Sequence, residues 1–141
     1  MTRERTLAMI KPDATAAGYT NKIIDDIIQE GFDVIDSKIV NLNREEAENF
    51  YAVHNGMFFF NNLIDYITSG PIVALALERE NAIKYLRQIV GSKDPHKAQE
   101  GTIRQKYGID SSKNAIHSSD SPETAEEELK KIFPHLYDSN L

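Results

Sequence analysis

Thr6-Leu7-Ala8-Met9-Ile10-Lys11-Pro12-Asp13 is a short apolar run stopped by a lysine and a proline. A run of this length that ends at proline reads as a buried strand breaking into a loop, which puts Lys11 at a strand end. Beyond Gly18, Ile23, Ile24, Ile27 and Ile28 recur at helical spacing, so residues 21–30 read as an amphipathic helix with Gly31 as its stop. Phe32 to Leu42 is rich in β-branched side chains, though its alternation is imperfect, and reads as a second strand. The opening pattern is therefore β-α-β.

Asn43-Arg44-Glu45-Glu46 has the form of a capping box and starts a helix toward Tyr51 and His54. Met57 to Ile67 reads as a further short helix with an aromatic leading edge, cut off by Ser69-Gly70-Pro71. Ile72-Val73-Ala74-Leu75-Ala76-Leu77 is the clearest buried strand, and Glu80 to Val90 returns to helical spacing until Gly91. Residues 92–113 show no convincing periodicity. A loop of about twenty residues inside a compact domain is either functional or hides an element. Ala115-Ile116-His117 is a last short strand, and Ser121-Pro122-Glu123 supplies an N-cap, a proline at the first helical position and an acid in the first turn. The final helix runs through Leu129 to Phe133. This order predicts an α+β fold, a ferredoxin-like split β-α-β sandwich with a four-stranded antiparallel sheet, helices on its faces and a long loop.

At 141 residues and 40% hydrophobic content, the chain can bury one core and is short for two ordinary domains, so residues 1–141 are expected to form a single domain. There is no cysteine, which removes disulfides and thiolate metal sites. No segment resembles a signal peptide or a membrane span, and a cytoplasmic protein without membrane contact is expected. A net charge of -6 argues against dedicated nucleic-acid binding through bulk charge.

Asn114-Ala115-Ile116-His117-Ser118-Ser119-Asp120-Ser121 concentrates the chemistry. A histidine at a strand end, followed by small hydroxylated residues that open a helix, reads as a positioned nucleophile. His54, His96 and His135 fall beside loops or helix ends and read as ordinary surface or core histidines. No pair of histidines has metal-ligand spacing or a carboxylate partner, so no protein-made metal site is expected. An imidazole nucleophile suits phosphoryl transfer, for which fixed cations and donors do most of the work. Lys11, Arg87, Arg104 and Asn114 are the candidates for that role.

Lys11-Pro12-Asp13, Phe50-Tyr51-Ala52, Phe58-Phe59-Phe60, Ser69-Gly70-Pro71, Gly101-Thr102-Ile103-Arg104 and the segment Asn114 to Ser121 together resemble the motifs of nucleoside diphosphate kinases. They occur in the same order and at similar spacings, from about Arg5 to about Leu129. The resemblance implies a ping-pong transfer in which a nucleoside triphosphate, typically ATP, phosphorylates His117 and a nucleoside diphosphate collects the group. It further implies that Lys11, Arg87, Arg104 and Asn114 bind phosphates and sugar, that Tyr51 lies beside His117, and that Phe59 stacks on the base. Ser119 and Glu128 are implied as support, with Glu128 fixing the histidine ring. Magnesium is implied as an ion of the nucleotide phosphates, and the subunits as a homo-oligomer, a tetramer or a hexamer.

Helical geometry bears separately on Glu128. It shares a face with Ser121, Thr124 and Ala125, a small and nearly uncharged surface beginning at the turn after His117, whereas Glu126 and Glu127 belong to a solvated face. Some positions depart from the family. Lys93 stands where a phosphate-contacting threonine is usual, and its ammonium either replaces that hydrogen bond by charge or points to solvent. Ser111 replaces an apolar side chain that usually covers the second face of the base. Ser118 replaces glycine or alanine, and Met57-Phe58 replaces a basic residue and proline. Two other readings compete: a sheet that presents aromatics to single-stranded nucleic acid, and a family scaffold without catalysis. The first is opposed by the placement of Tyr51 and Phe58 to Phe60 on expected helices, the second by the full set of Lys11, Tyr51, Arg104, Asn114, His117 and Glu128.

Overall fold

The computed structural model describes residues 3–137. Four strands, β1 (Arg3–Ile10), β2 (Asp33–Val40), β3 (Ile72–Glu80) and β4 (Ile116–Ser118), form one sheet in the order β2-β3-β1-β4. Every neighbouring pair is antiparallel, the expected ferredoxin-like arrangement. Helices α2 (Thr20–Gln29) and α5 (Ala82–Val90) contribute to the apolar layer on one face, while α3 (Arg44–Phe50), α4 (Phe60–Ile67) and α7 (Pro122–Ile132) contribute to the other.

The apolar run of β1 reflects its central place. Ala8 and Ile10 pack with Ile23, Ile27, Leu75 and Leu86, whereas Leu7 and Met9 pack with Ile64, Ile67 and Leu129. Successive side chains of a strand point to opposite faces, so a strand covered on both sides has no polar alternation to show. β3 divides in the same way, Leu75 and Leu77 to one layer and Ile72, Ala74 and Ala76 to the other. At the sheet edge, β2 is largely exposed, and its register shifts between Val34 and Asp36, which accounts for its imperfect alternation.

Several boundaries differ from the sequence expectation. β1 and β3 extend beyond their apolar centres because Arg5 lies opposite Glu78 and Glu4 opposite Arg79, cross-strand pairs of opposite charge that prolong the ladder. Pro12 opens a five-residue helix, α1 (Pro12–Ala16), where a loop is expected, its fixed φ suiting the first helical position. The segment 92–113 is not structureless: Thr102 caps α6 (Ile103–Tyr107), too short to leave a periodic signal. α4 begins at Phe60, so Phe58 and Phe59 lie in the turn before it and not on a helix. The capping box at Asn43 is present in both hydrogen bonds.

Candidate active site

β4 is held to β1 with His117 opposite Met9 and Ile116 opposite Ile10, so the histidine and Lys11 emerge at the same end of the sheet. Just before β4, Ala115 adopts a left-handed φ of 76° and the Ile116 amide donates to the Asn114 carbonyl at 2.9 Å, closing a tight γ-turn. Such a conformation costs an alanine free energy and persists only where its surroundings enforce it. Here the Lys11 amide donates to the Ala115 carbonyl at 2.8 Å, and the Ala115 amide donates to Asp13 Oδ2 at 3.1 Å. The Tyr66 hydroxyl donates to the other oxygen of Asp13. Thr15 Oγ1 donates to the Pro71 carbonyl at 2.8 Å, tying α1 to the loop before β3.

The His117 ring is fixed by its neighbours. Nε2 lies 2.9 Å from Glu128 Oε1, which also accepts the Ser119 hydroxyl at 2.7 Å. With the carboxylate accepting, Nε2 carries the proton and Nδ1 keeps its lone pair. Phe50 and Tyr51 present their rings edge-on to the imidazole, with centroids at 5.6 and 6.3 Å. Burial, and then the Glu128 charge, push the Tyr51 phenol well above its ordinary pKa, so the hydroxyl stays protonated. Among the described residues its buried oxygen has no hydrogen-bond partner.

Next to this ring stand cations with neutral partners. Lys11 Nζ donates to Asn114 Oδ1 at 2.9 Å, and Asn114 Nδ2 donates to the carbonyls of Lys93 at 3.0 Å and Ser111 at 3.1 Å. Burial, followed by the Arg104 charge, lowers the Lys11 pKa to about 8, with Asp13 opposing and Lys93 adding to the fall. The Arg104 guanidinium donates to the carbonyls of Gly91 at 3.2 Å and Ile116 at 2.8 Å, while its buried Nε has no partner among the described residues. Burial and then Arg87 lower the Arg104 pKa to about 10. Both groups remain positive at neutral pH, in a field that disfavours their charge. An anion binding there would relieve it.

Gly91 makes this anchoring possible. Its φ is +93°, and an added Cβ would stand 2.6 Å from Thr102 Oγ1. Arg87 lies on the exposed side of α5, beside a depression lined by Glu4, Lys84 and Asp120, and acts on Arg104 through its charge. Phe59 is half-buried in the turn before α4, its ring edge-on to His54 with centroids 5.5 Å apart. Lys93 is exposed, yet its ammonium lies 6.0 Å from the Phe59 centroid. Ser111 is exposed, and Ser118 and Ser119 are buried. Glu126 and Glu127 face solvent while Glu128 is half-buried, as the helical face of Glu128 implies.

The fold thus gathers His117, Tyr51, Ser119 and Glu128 at one point, and Lys11, Arg104, Asn114 and Lys93 around it. Three residues here carry roles that sequence reasoning does not assign. Asp13 and Tyr66 clamp the turn at Ala115, and Phe50 walls the imidazole. Asp13 could have been found from its place beside Lys11. Ala115 gives no signal, since a left-handed alanine is dictated from outside its own residue.

A family model for nucleoside diphosphate kinase matches residues 4–137 of the chain. A nucleoside diphosphate kinase of Persephonella marina is 43% identical over 136 residues, which cover 96% of this chain and 97% of that protein. The crystal structure of the Aquifex aeolicus nucleoside diphosphate kinase superposes with a TM-score of 0.93 at 45% identity, over 96% of this chain and 98% of the other. The structure of a halophilic nucleoside diphosphate kinase from Halobacterium salinarum in complex with CDP gives a TM-score of 0.90 at 35% identity, over 94% of this chain and 88% of the other.

Proposed function

The chain belongs to the nucleoside diphosphate kinase family, and from that membership we propose that it transfers the γ-phosphoryl group of a nucleoside triphosphate, typically ATP, to a nucleoside diphosphate through His117. In the first half-reaction the Nδ1 lone pair attacks the γ-phosphorus, an N–P bond forms, the bond to the bridging oxygen breaks and the diphosphate leaves. In the second, a terminal oxygen of another nucleoside diphosphate attacks the same phosphorus and the N–P bond breaks. The observation that carries this reading is the Glu128 hydrogen bond to Nε2, which leaves Nδ1 as the free nucleophile and stabilises the charge gained by the ring.

Lys11 and Arg104 meet the phosphate oxygens, Arg87 adds positive potential at the rim, and Asn114 holds the Lys11 ammonium while reaching the sugar and phosphates. The Tyr51 hydroxyl, a buried donor without an acceptor, donates to the transferring group. Ser119 keeps Glu128 in place. Phe59 stacks on the base, and a π-face serves every base, which suits the CDP held by the halophilic relative. Lys93 contributes at the phosphates. Magnesium enters as part of the nucleotide substrate, its ligands drawn from the phosphates; the described residues contain no group of three or more His, Asp or Glu that could cage an ion.

Residues 1–141 belong to a single domain, a reading supported by the packing of both apolar layers on one sheet. The protein acts in the cytoplasm as a homo-oligomer, a tetramer or a hexamer. The free edge of β2, which carries the exposed Ile39, supports association. No helix among the described residues is long and apolar enough to cross a membrane.

The test is incubation with γ-labelled ATP. A label that is acid-labile and alkali-stable, and that discharges onto added GDP, is expected. Retention of both label and activity in His117→Ala would overturn the mechanism.

A further inference from the structure

Lys93 lies two residues beyond Gly91, on an exposed stretch between α5 and α6, with its backbone carbonyl fixed by Asn114 Nδ2 at 3.0 Å. From that root its ammonium rests over the Phe59 ring, 6.0 Å from the centroid. The same charge reaches Lys11. One long side chain therefore stands between the aromatic platform and the buried cations. An exposed ammonium on a phenyl face gains roughly a two- to fivefold preference for that position. A charge-assisted contact with phosphate is stronger than this, and so can draw the ammonium away.

We propose that Lys93 is a cation shared between the base platform and the phosphate site, resting on Phe59 in the free protein and passing to the phosphates when a ligand binds. This rests on the reading of Phe59 as base platform and Lys11 as phosphate ligand. A base stacking on Phe59 displaces the ammonium from the ring, and the displaced ammonium pairs with the phosphates of the same nucleotide. Both ends are then satisfied. Inorganic pyrophosphate can also draw the ammonium away, but it leaves the ring uncovered and forfeits the contact. A short hydroxyl side chain at position 93 could not link the two ends.

The experiment compares ADP and inorganic pyrophosphate by calorimetry on the full chain, with Lys93→Met, Phe59→Leu and the double variant, each checked for an unchanged thermal transition. Phe59→Leu is expected to weaken ADP binding yet tighten pyrophosphate about two- to fivefold, because the ammonium loses its resting place. That tightening should vanish in the Lys93→Met background, where binding of both ligands is weaker than in the parent. The proposal is overturned if Phe59→Leu leaves pyrophosphate affinity unchanged or lowered, if the tightening persists without Lys93, or if Lys93→Met leaves ADP affinity unaltered. Labelling of His117 by γ-labelled ATP is read separately in the parent protein. Loss of that label would sink the phosphoryl-transfer reading itself, whereas normal labelling with an overturned affinity pattern would remove only the role of Lys93.

Discussion

Glu128 Oε1 lies 2.9 Å from His117 Nε2 and takes a second hydrogen bond, at 2.7 Å, from the Ser119 hydroxyl. A carboxylate in that position selects the tautomer with Nδ1 unprotonated. An amide of the same shape can present its NH2 group to Nε2 and favour the opposite tautomer. Glu128→Gln should therefore lower kcat by about 10²- to 10⁴-fold while leaving nucleotide KM within a few-fold. Single-turnover labelling of His117 checks this, and an unchanged rate would remove Glu128 from the orienting role.

Lys11 carries a pH signature. Burial first, then Arg104, lower its pKa from 10.5 to about 8, so between these values the unfolded chain holds a proton that the folded chain has lost. Stability contributed by this group should then rise with pH through that window, and below pH 8 the buried charge costs about 3 kcal/mol. A bound phosphate favours the charged form, so ADP binding near pH 9 should take up protons, visible as a dependence of calorimetric enthalpy on the buffer's ionisation heat. Lys11→Met should melt higher than the parent at pH 7, by about 1–2 kcal/mol after allowing for the unpaired Asn114 oxygen, while losing most nucleotide affinity.

Gly91 lies at φ +93° with ψ near the extended value, and a Cβ there would press on Thr102. Gly91→Ala should cost about 2–4 kcal/mol by denaturant unfolding, from backbone strain and the clash together. Because the Gly91 carbonyl holds Arg104, nucleotide KM should rise as well. Adding Thr102→Ala should recover the part due to the clash but not the part due to φ.

Asp13→Ala removes the acceptor of the Ala115 amide and of the Tyr66 hydroxyl. Two donors lose their partner, and the left-handed turn loses its clamp. A loss of about 2–3 kcal/mol in stability is expected. The fall in kcat should exceed the change in KM, since the turn leads straight into His117 and reaches the phosphate cations only through the Lys11 amide and charge. Equal changes in both would place Asp13 outside the positioning of the histidine.

Ser111 tests the second face of the base. It is exposed, and its carbonyl is already engaged by Asn114. Ser111→Val should tighten ADP by about three- to tenfold if the side chain covers the base, as burying apolar area of this size allows. Unchanged affinity would show that the base lies elsewhere.

How far each part is legible in the sequence follows from what determines it locally. The apolar centres of β1 and β3 and the isoleucine stripe of α2 are visible because burial writes itself into residue type. The charged ends of β1 and β3 are not, since Arg5 and Glu78 make sense only once they face each other across the ladder. Helix α6 escapes because five residues cannot show a period, and α1 because Lys11-Pro12-Asp13 serves equally as a strand stop and a helix start. At the site, residue types point to His117 and its cations. The coupling of Asp13, Tyr66 and Ala115 spans more than a hundred residues of sequence separation and is invisible along the chain.

β1 is hydrogen-bonded on both edges and covered on both faces, so its amides should exchange with solvent only through global unfolding. His117 is paired to that strand, opposite Met9, through β4, and Lys11 follows its last residue. Phe59 and Lys93 sit on connecting segments outside the sheet, a class of structure that opens at lower free energy. Nucleotides can therefore enter, leave and be replaced by loosening the periphery alone, while the atom that stores the phosphoryl group between two customers keeps its coordinates. A hydrogen-exchange profile of the phosphorylated and free protein should show change in residues 53–61 and 92–113 and silence in residues 6–10.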